Sequence, residues 1–182
     1  KTNNGTAKNT NGAGMSFVSG VRGTGVSLDG TDDYINIGTT ALAATSNTYT
    51  MGAWFKTTQS SGVYIIYAES RSTAGNALAI IQVSTGNAMF FQRDDATSTA
   101  TITSSKTYSD GNWHFINGVR SASNSFSLYV DGQLVGTSST SVGTTSISAV
   151  NIGARNDAGS MIYNFNGSID EPFVTATALT AG

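Results

Sequence analysis

The chain has no cysteine, one histidine (His114), one proline (Pro172) and a charged fraction of only 11%. Without cysteine no disulfide staples the fold, and no thiolate serves as nucleophile or metal ligand. One histidine excludes a multi-histidine zinc centre, and a catalytic triad would need an oriented partner for it. The formal charge of −2, from 9 basic and 11 acidic side chains, provides no basic patch for capturing nucleic acid. No apolar run approaches the roughly 20 residues of a membrane-spanning helix. No segment of a dozen residues carries a helical period.

What is present is hydroxyl and glycine. Ser and Thr together number 50 and Gly 21 of 182 residues, which is enough for one domain with a sizeable core. The charged fraction is less than half the roughly 25% of ordinary soluble domains. A neutral, hydroxyl-rich surface of this kind fits a secreted or surface-displayed protein. Residues 1–23 read as a lead-in with few apolar anchors and one strand near Met15–Val18.

From there short β-runs alternate with turn residues. Val63–Ala68 and Ala77–Val83 are near-continuous apolar runs, which suit strands covered on both faces. In Ser125–Val130, Phe126, Leu128 and Val130 alternate with small or polar neighbours, and Asp131-Gly132 supplies the residues of a type I′ hairpin turn. About a dozen strands at this spacing predict an all-β sandwich.

Five of the 11 acidic residues lie in two short stretches at opposite ends of the chain, Ser27–Gly38 and Phe165–Pro172. Either these carboxylates hold a cation together, or they cap separate solvated turns. The first reading requires the opening and closing strands to lie side by side. Asp29, Asp32, Asp33 and Asp170 are then the candidate ligands.

The order of several motifs resembles a known family. Leu28-Asp29-Gly30 with Asp33-Tyr34-Ile35 is followed by Met51–Phe55, Asp110–Phe115, Leu128–Gly132, Asn151-Ile152-Gly153 and Phe165–Glu171. Over residues 24–182 the chain resembles laminin-G-like, concanavalin A-like jelly-roll modules. The resemblance implies an antiparallel two-sheet jelly-roll sandwich with adjacent first and last strands. It also implies a structural calcium near those strands, and a core position for the aromatic at Trp113. Trp54 is read as core as well, and His114 as structural.

Related sandwiches include retaining glycoside hydrolases, which place two carboxyl groups about 5–5.5 Å apart. This chain has two glutamates, Glu69 and Glu171, and neither stands in a Glu-x-Asp-x-x-Glu pattern. The expected function is therefore non-catalytic recognition by one module of a larger protein, with glycan or cell-surface protein as partner. Tyr64, Tyr67, Arg93, Asp94, Tyr108, Arg155, Asn156 and Tyr163 are the candidate ligand contacts. The alternatives are a structural or decorating domain of a virion, pilus or cell surface, and, weakest, a carbohydrate-active enzyme.

Overall fold

The computed structural model describes residues 5–9, 15–40, 43–71, 78–95, 98–144 and 146–179. Two seven-stranded sheets stack face to face, and every strand pairing is antiparallel, as the strand pattern predicts. The first sheet runs β1 (Thr6–Lys8), β4 (Tyr34–Gly38), β13 (Ala149–Ile152), β6 (Val63–Ser70), β7 (Leu78–Ser84), β8 (Asn87–Arg93), β9 (Thr99–Thr107). The second runs β12 (Gln133–Ser138), β11 (Ser125–Val130), β10 (His114–Ala122), β5 (Tyr49–Lys56), β16 (Asn166–Thr175), β3 (Thr24–Asp29), β2 (Ser16–Ser19). A small hairpin of β14 (Arg155–Asp157) and β15 (Ser160–Ile162) stands apart. The lead-in is thus woven into the sandwich, with β1 on one sheet edge and β2 on the other.

Period-2 alternation decides what lies inside. In β5, Met51, Ala53 and Phe55 are fully buried between the sheets. That register turns Trp54 outward, where its ring lies 5.0 Å from Phe115. Trp113 is half-buried beneath the Lys56 ammonium, 5.7 Å from its ring centre. Both tryptophans, expected in the core, therefore sit on the outside of the second sheet. Phe90, Phe126 and Phe165 fill the interior instead. Each such side chain contributes roughly 1.5–3 kcal/mol on burial.

The opening and closing strands do meet. β3 pairs with β16 from Asn166 opposite Asp29 to Ile169 opposite Val26. The Asp131-Gly132 turn has φ values of 53° and 76°, as a type I′ turn requires.

Candidate functional site

The outer face of the first sheet carries side chains in registered rows. Val63 pairs with Ser84, Ile65 with Gln82 and Ala68 with Ile80. The rows continue from Ile80 to Phe91 to Thr101, and from Gln82 to Met89 to Thr103. Ile65, Ala68, Leu78 and Ile80 form a small apolar cluster there, and Phe91 and Val63 pack against it. This second cluster covers β6 and β7 on their outer side, which is why both strands read as continuous apolar runs.

A wall rises along one side of these rows. Tyr163 follows the β14–β15 hairpin in a left-handed conformation (φ 59°), and its carbonyl accepts the Ile65 amide at 2.9 Å. The residue is 46% exposed, and its ring centre lies 5.8 Å from the Arg155 guanidinium carbon. Arg155 pairs with Asp157 at 3.0 Å, while its buried Nε has no partner. Together wall and floor enclose a trough of about 290 Å³, lined by Arg155 and Tyr163 on one side and by Ile80, Gln82, Met89, Phe91 and Thr101 below. The described lining residues include one cation and no carboxylate.

Of the eight candidate contacts, the structure brings Arg155 and Tyr163 to this trough. Arg93 is on the same face, its guanidinium 5.8 Å from the Phe91 ring. Asn156 stands on the hairpin, where its side-chain oxygen closes the turn by accepting the Gly159 amide at 2.9 Å. The other four serve the fold. Tyr64 is on the inner side of β6 and donates to Gln59. Tyr67 is buried, with its hydroxyl on Glu69 at 2.9 Å. Asp94 is buried and accepts the Ser98 and Gly143 amides. Tyr108 is buried edge-on to the His114 ring. These four were candidates because aromatic faces and carboxylates suit sugar recognition in loops or on open faces. Most of their partners lie within six residues, and what the residues alone do not show is which of these side chains turns inward to meet them. Sequence reading also missed Phe91 and Gln82, whose only signal is the alternation within β8 and the position of β7 beside it.

The acidic turn between β3 and β4 gathers Asp29, Asp32 and Asp33, each with one carboxylate oxygen within 4.8 Å of the others. Asp33 is fully buried. Its Oδ2 accepts the Asp29 amide at 3.1 Å, and its Oδ1 has no partner. Burial, first of all, pushes its carboxyl above the ordinary value, and the neighbouring charges of Asp29 and Asp32 add to this. From the closing end, Asn164 donates its side-chain amide to the Thr31 carbonyl of the same turn and leaves its buried Oδ1 unmatched. Asp170 does not join this group. It is four residues further along the ladder, with Oδ2 accepting the Arg22 amide at 2.9 Å. A strand that presents Asn166 to Asp29 must carry residue 170 away from it, so the expected convergence of four carboxylates is corrected to three.

The family profile described as the concanavalin A-like lectin/glucanases superfamily matches residues 29–182. The chain belongs to this superfamily. No curated protein matches the sequence. Among solved structures, the superfamily's sandwich recurs in the binding domain of Paraclostridial Mosquitocidal Protein 1, with a TM-score of 0.69 at 15% identity over 92% of this chain and 44% of that one. It recurs in the Ruminococcus gnavus IT-sialidase CBM40 bound to α2,3-sialyllactose, with a TM-score of 0.65 at 17% identity over 76% and 80%. Domain 4 of AbnA, a GH43 extracellular arabinanase from Geobacillus stearothermophilus in complex with arabinotriose, gives 0.68 at 17% identity over 93% and 79%. At these identities the likeness establishes the fold. The site must be argued from the residues of this chain.

Proposed function

We propose that the chain is a non-catalytic, extracellular glycan-recognition module of a larger protein, and that the trough on the first sheet holds the sugar. The observation that carries this reading is the ring of half-exposed Tyr163, set by backbone and guanidinium against an apolar floor. A pyranose or furanose has an apolar C–H face that such a ring can cover, and hydroxyls that need polar neighbours. Arg155, Gln82 and Thr101 supply donors and acceptors at the rim and floor. Structural relatives solved with sialyllactose and arabinotriose support a sugar as the ligand class. The carboxylates support the absence of catalysis. Glu69 is buried and already accepts the Ala43 and Ala44 amides and the Tyr67 hydroxyl, and Glu171 is exposed on β16.

The test is calorimetric titration of the protein with α2,3-sialyllactose and arabinotriose, alongside a glycan array. Saturable binding to at least one glycan is expected. Tyr163→Ala should weaken it about tenfold, equivalent to ~1.4 kcal/mol, without lowering the melting temperature. Silence across the array, or binding that Tyr163→Ala leaves untouched, overturns the assignment.

The same reading includes a structural calcium at the acidic turn, held by Asp29, Asp32 and Asp33. The unmatched oxygens of Asp33 and Asn164 support it, because hard oxygen donors suit this ion. The ion would neutralise a carboxylate that burial otherwise disfavours, and would fix the turn between β3 and β4.

A further inference from the structure

The second sheet splits partway along β16. β3 follows β16 only as far as Ile169, where Val26 stands opposite. The register with β5 then shifts between Asp170 and Phe173, with Glu171 at φ 46°, and the strand continues on β5. Meanwhile the β2–β3 hairpin turns back at Gly20, whose amide bonds to the Gly23 carbonyl. The two sheets are left parted along this side. On the first sheet the edge strand β1 contributes only the small Ala7, which stands opposite Ile35. The result is a cavity of about 520 Å³, within the range of small-molecule sites.

Its chemistry differs from that of the trough. The described lining residues come from both sheets and include no charged side chain. Val26, Ile37, Val150 and Ile152 form the walls, and Phe17, 82% exposed, stands at the mouth. The most deeply buried lining residues are Tyr67 and Val150, 4% and 1% exposed. The Tyr67 hydroxyl is already committed to Glu69 at 2.9 Å. A sugar placed here would meet Thr40 as the one other polar side chain among the described lining residues and would leave most of its hydroxyls without partners, at substantial cost. An apolar lining without charged side chains favours an apolar guest.

We propose that this cavity is a second ligand site, independent of the glycan site, and that it takes a slender uncharged molecule with a single aliphatic chain.

The experiment uses the fluorescent probe N-phenyl-1-naphthylamine, with 1-dodecanol as competitor. The wild type should enhance probe fluorescence to saturation at one probe per chain, and dodecanol should reverse the rise and increase the melting temperature. Ala7→Trp puts an indole in the mouth from an exposed edge strand and should weaken probe binding at least tenfold while leaving glycan binding intact. Ile37→Phe narrows the wall and should do the same if Ala7→Trp fails to fold. Tyr163→Ala should bind the probe as the wild type does, so loss of the sugar site and loss of this one are read separately. An absence of saturable enhancement, or equal enhancement in the wild type and a folded cavity-filling variant, overturns the proposal.

Discussion

Asp29 and Asp170 sit on one antiparallel ladder but four residues apart, roughly 13 Å at the rise of a β-strand. Each has a separate duty. Asp29 Oδ1 accepts the Thr31 amide at 2.7 Å and shapes the turn after β3. Asp170 is 4% exposed and bonds to the Arg22 and Glu171 amides at 2.9 Å each. A Cβ at Gly20 would approach its Oδ2 to 2.4 Å, so the β2–β3 turn closes directly onto this carboxylate. The two ends of the sandwich are joined by strand pairing and by Asp170, and among the described residues three carboxylates come together at the Asp29 end.

Asp33 separates the bound and ion-free cases. With calcium at 100 times its dissociation constant the protein gains about 2.7 kcal/mol. At about 2–4 °C per kcal/mol for a chain of this size, chelation should lower the melting temperature by several degrees. Asp33→Asn should abolish that difference. Its folded carboxyl titrates above 3.8, so without an ion its charge costs stability progressively as pH rises from about 3.8 through that titration. In chelator at neutral pH, Asp33→Asn should therefore be the more stable protein. Calcium dependence that survives in Asp33→Asn would sink the site.

The strands and the turn at Asp131-Gly132 were legible because alternation and turn chemistry are local, and the adjacency of the opening and closing strands followed from the family resemblance. The facing of the aromatics was less so. Trp54 and Phe55 are neighbours, and only the pairing of β5 with β10 and β16 decides which one enters the core. The candidate site was partly legible. Tyr163 and Arg155 stand near one another in sequence, whereas Phe91 and Gln82 reach the trough through sheet register. Asp170 was misplaced because two acidic motifs on paired strands suggest a shared ion, and the ladder offset that parts them is not written in either motif.

Gly167 tests why the closing motif carries a glycine. Its φ is 144°, and a Cβ would stand 2.2 Å from the Lys56 carbonyl oxygen of β5. The glycine is required for close strand packing. Gly167→Ala should lose about 1–3 kcal/mol from backbone conformation alone, with the collision in addition. Urea unfolding measures this, and a midpoint equal to the wild type would show that the strand can shift aside.

Asp110 sets part of the acid limb of stability. Its carboxylate is held at about 2, first by the Asn112 amide and then by the His114 ring and the Asn112 side chain. The folded value lies below the ordinary 3.8, so the contribution is complete above about 3.8 and is lost as pH falls to about 2. Asp110→Asn should flatten the fall in melting temperature across that window and leave the slope above pH 5 unchanged. An unaltered acid limb would assign the loss to other carboxylates.

Arg120 is a fully buried guanidinium that makes no hydrogen bond to a carboxylate. It donates instead to the backbone carbonyls of Ser46, Ala122, Val142 and Gly143 and to the Asn47 side chain, and its guanidinium carbon lies 5.2 Å from the Phe126 ring centre. Burial lowers its pKa, while Tyr49 and Asp94 act in the opposite direction. Asp94 accepts the Gly143 amide at 2.7 Å, so one residue holds the loop by its carbonyls and the other by its N–H. Arg120→Met would leave the buried Val142 carbonyl and three part-buried carbonyls without this donor and should cost about 1–3 kcal/mol, the range for a buried acceptor left unsatisfied. Arg120→Lys keeps the charge but not the planar fork, and so cannot serve the same set of acceptors. It should recover less than half of that loss by urea unfolding. A lysine variant as stable as the wild type would mean that charge alone, without the fork geometry, secures the loop.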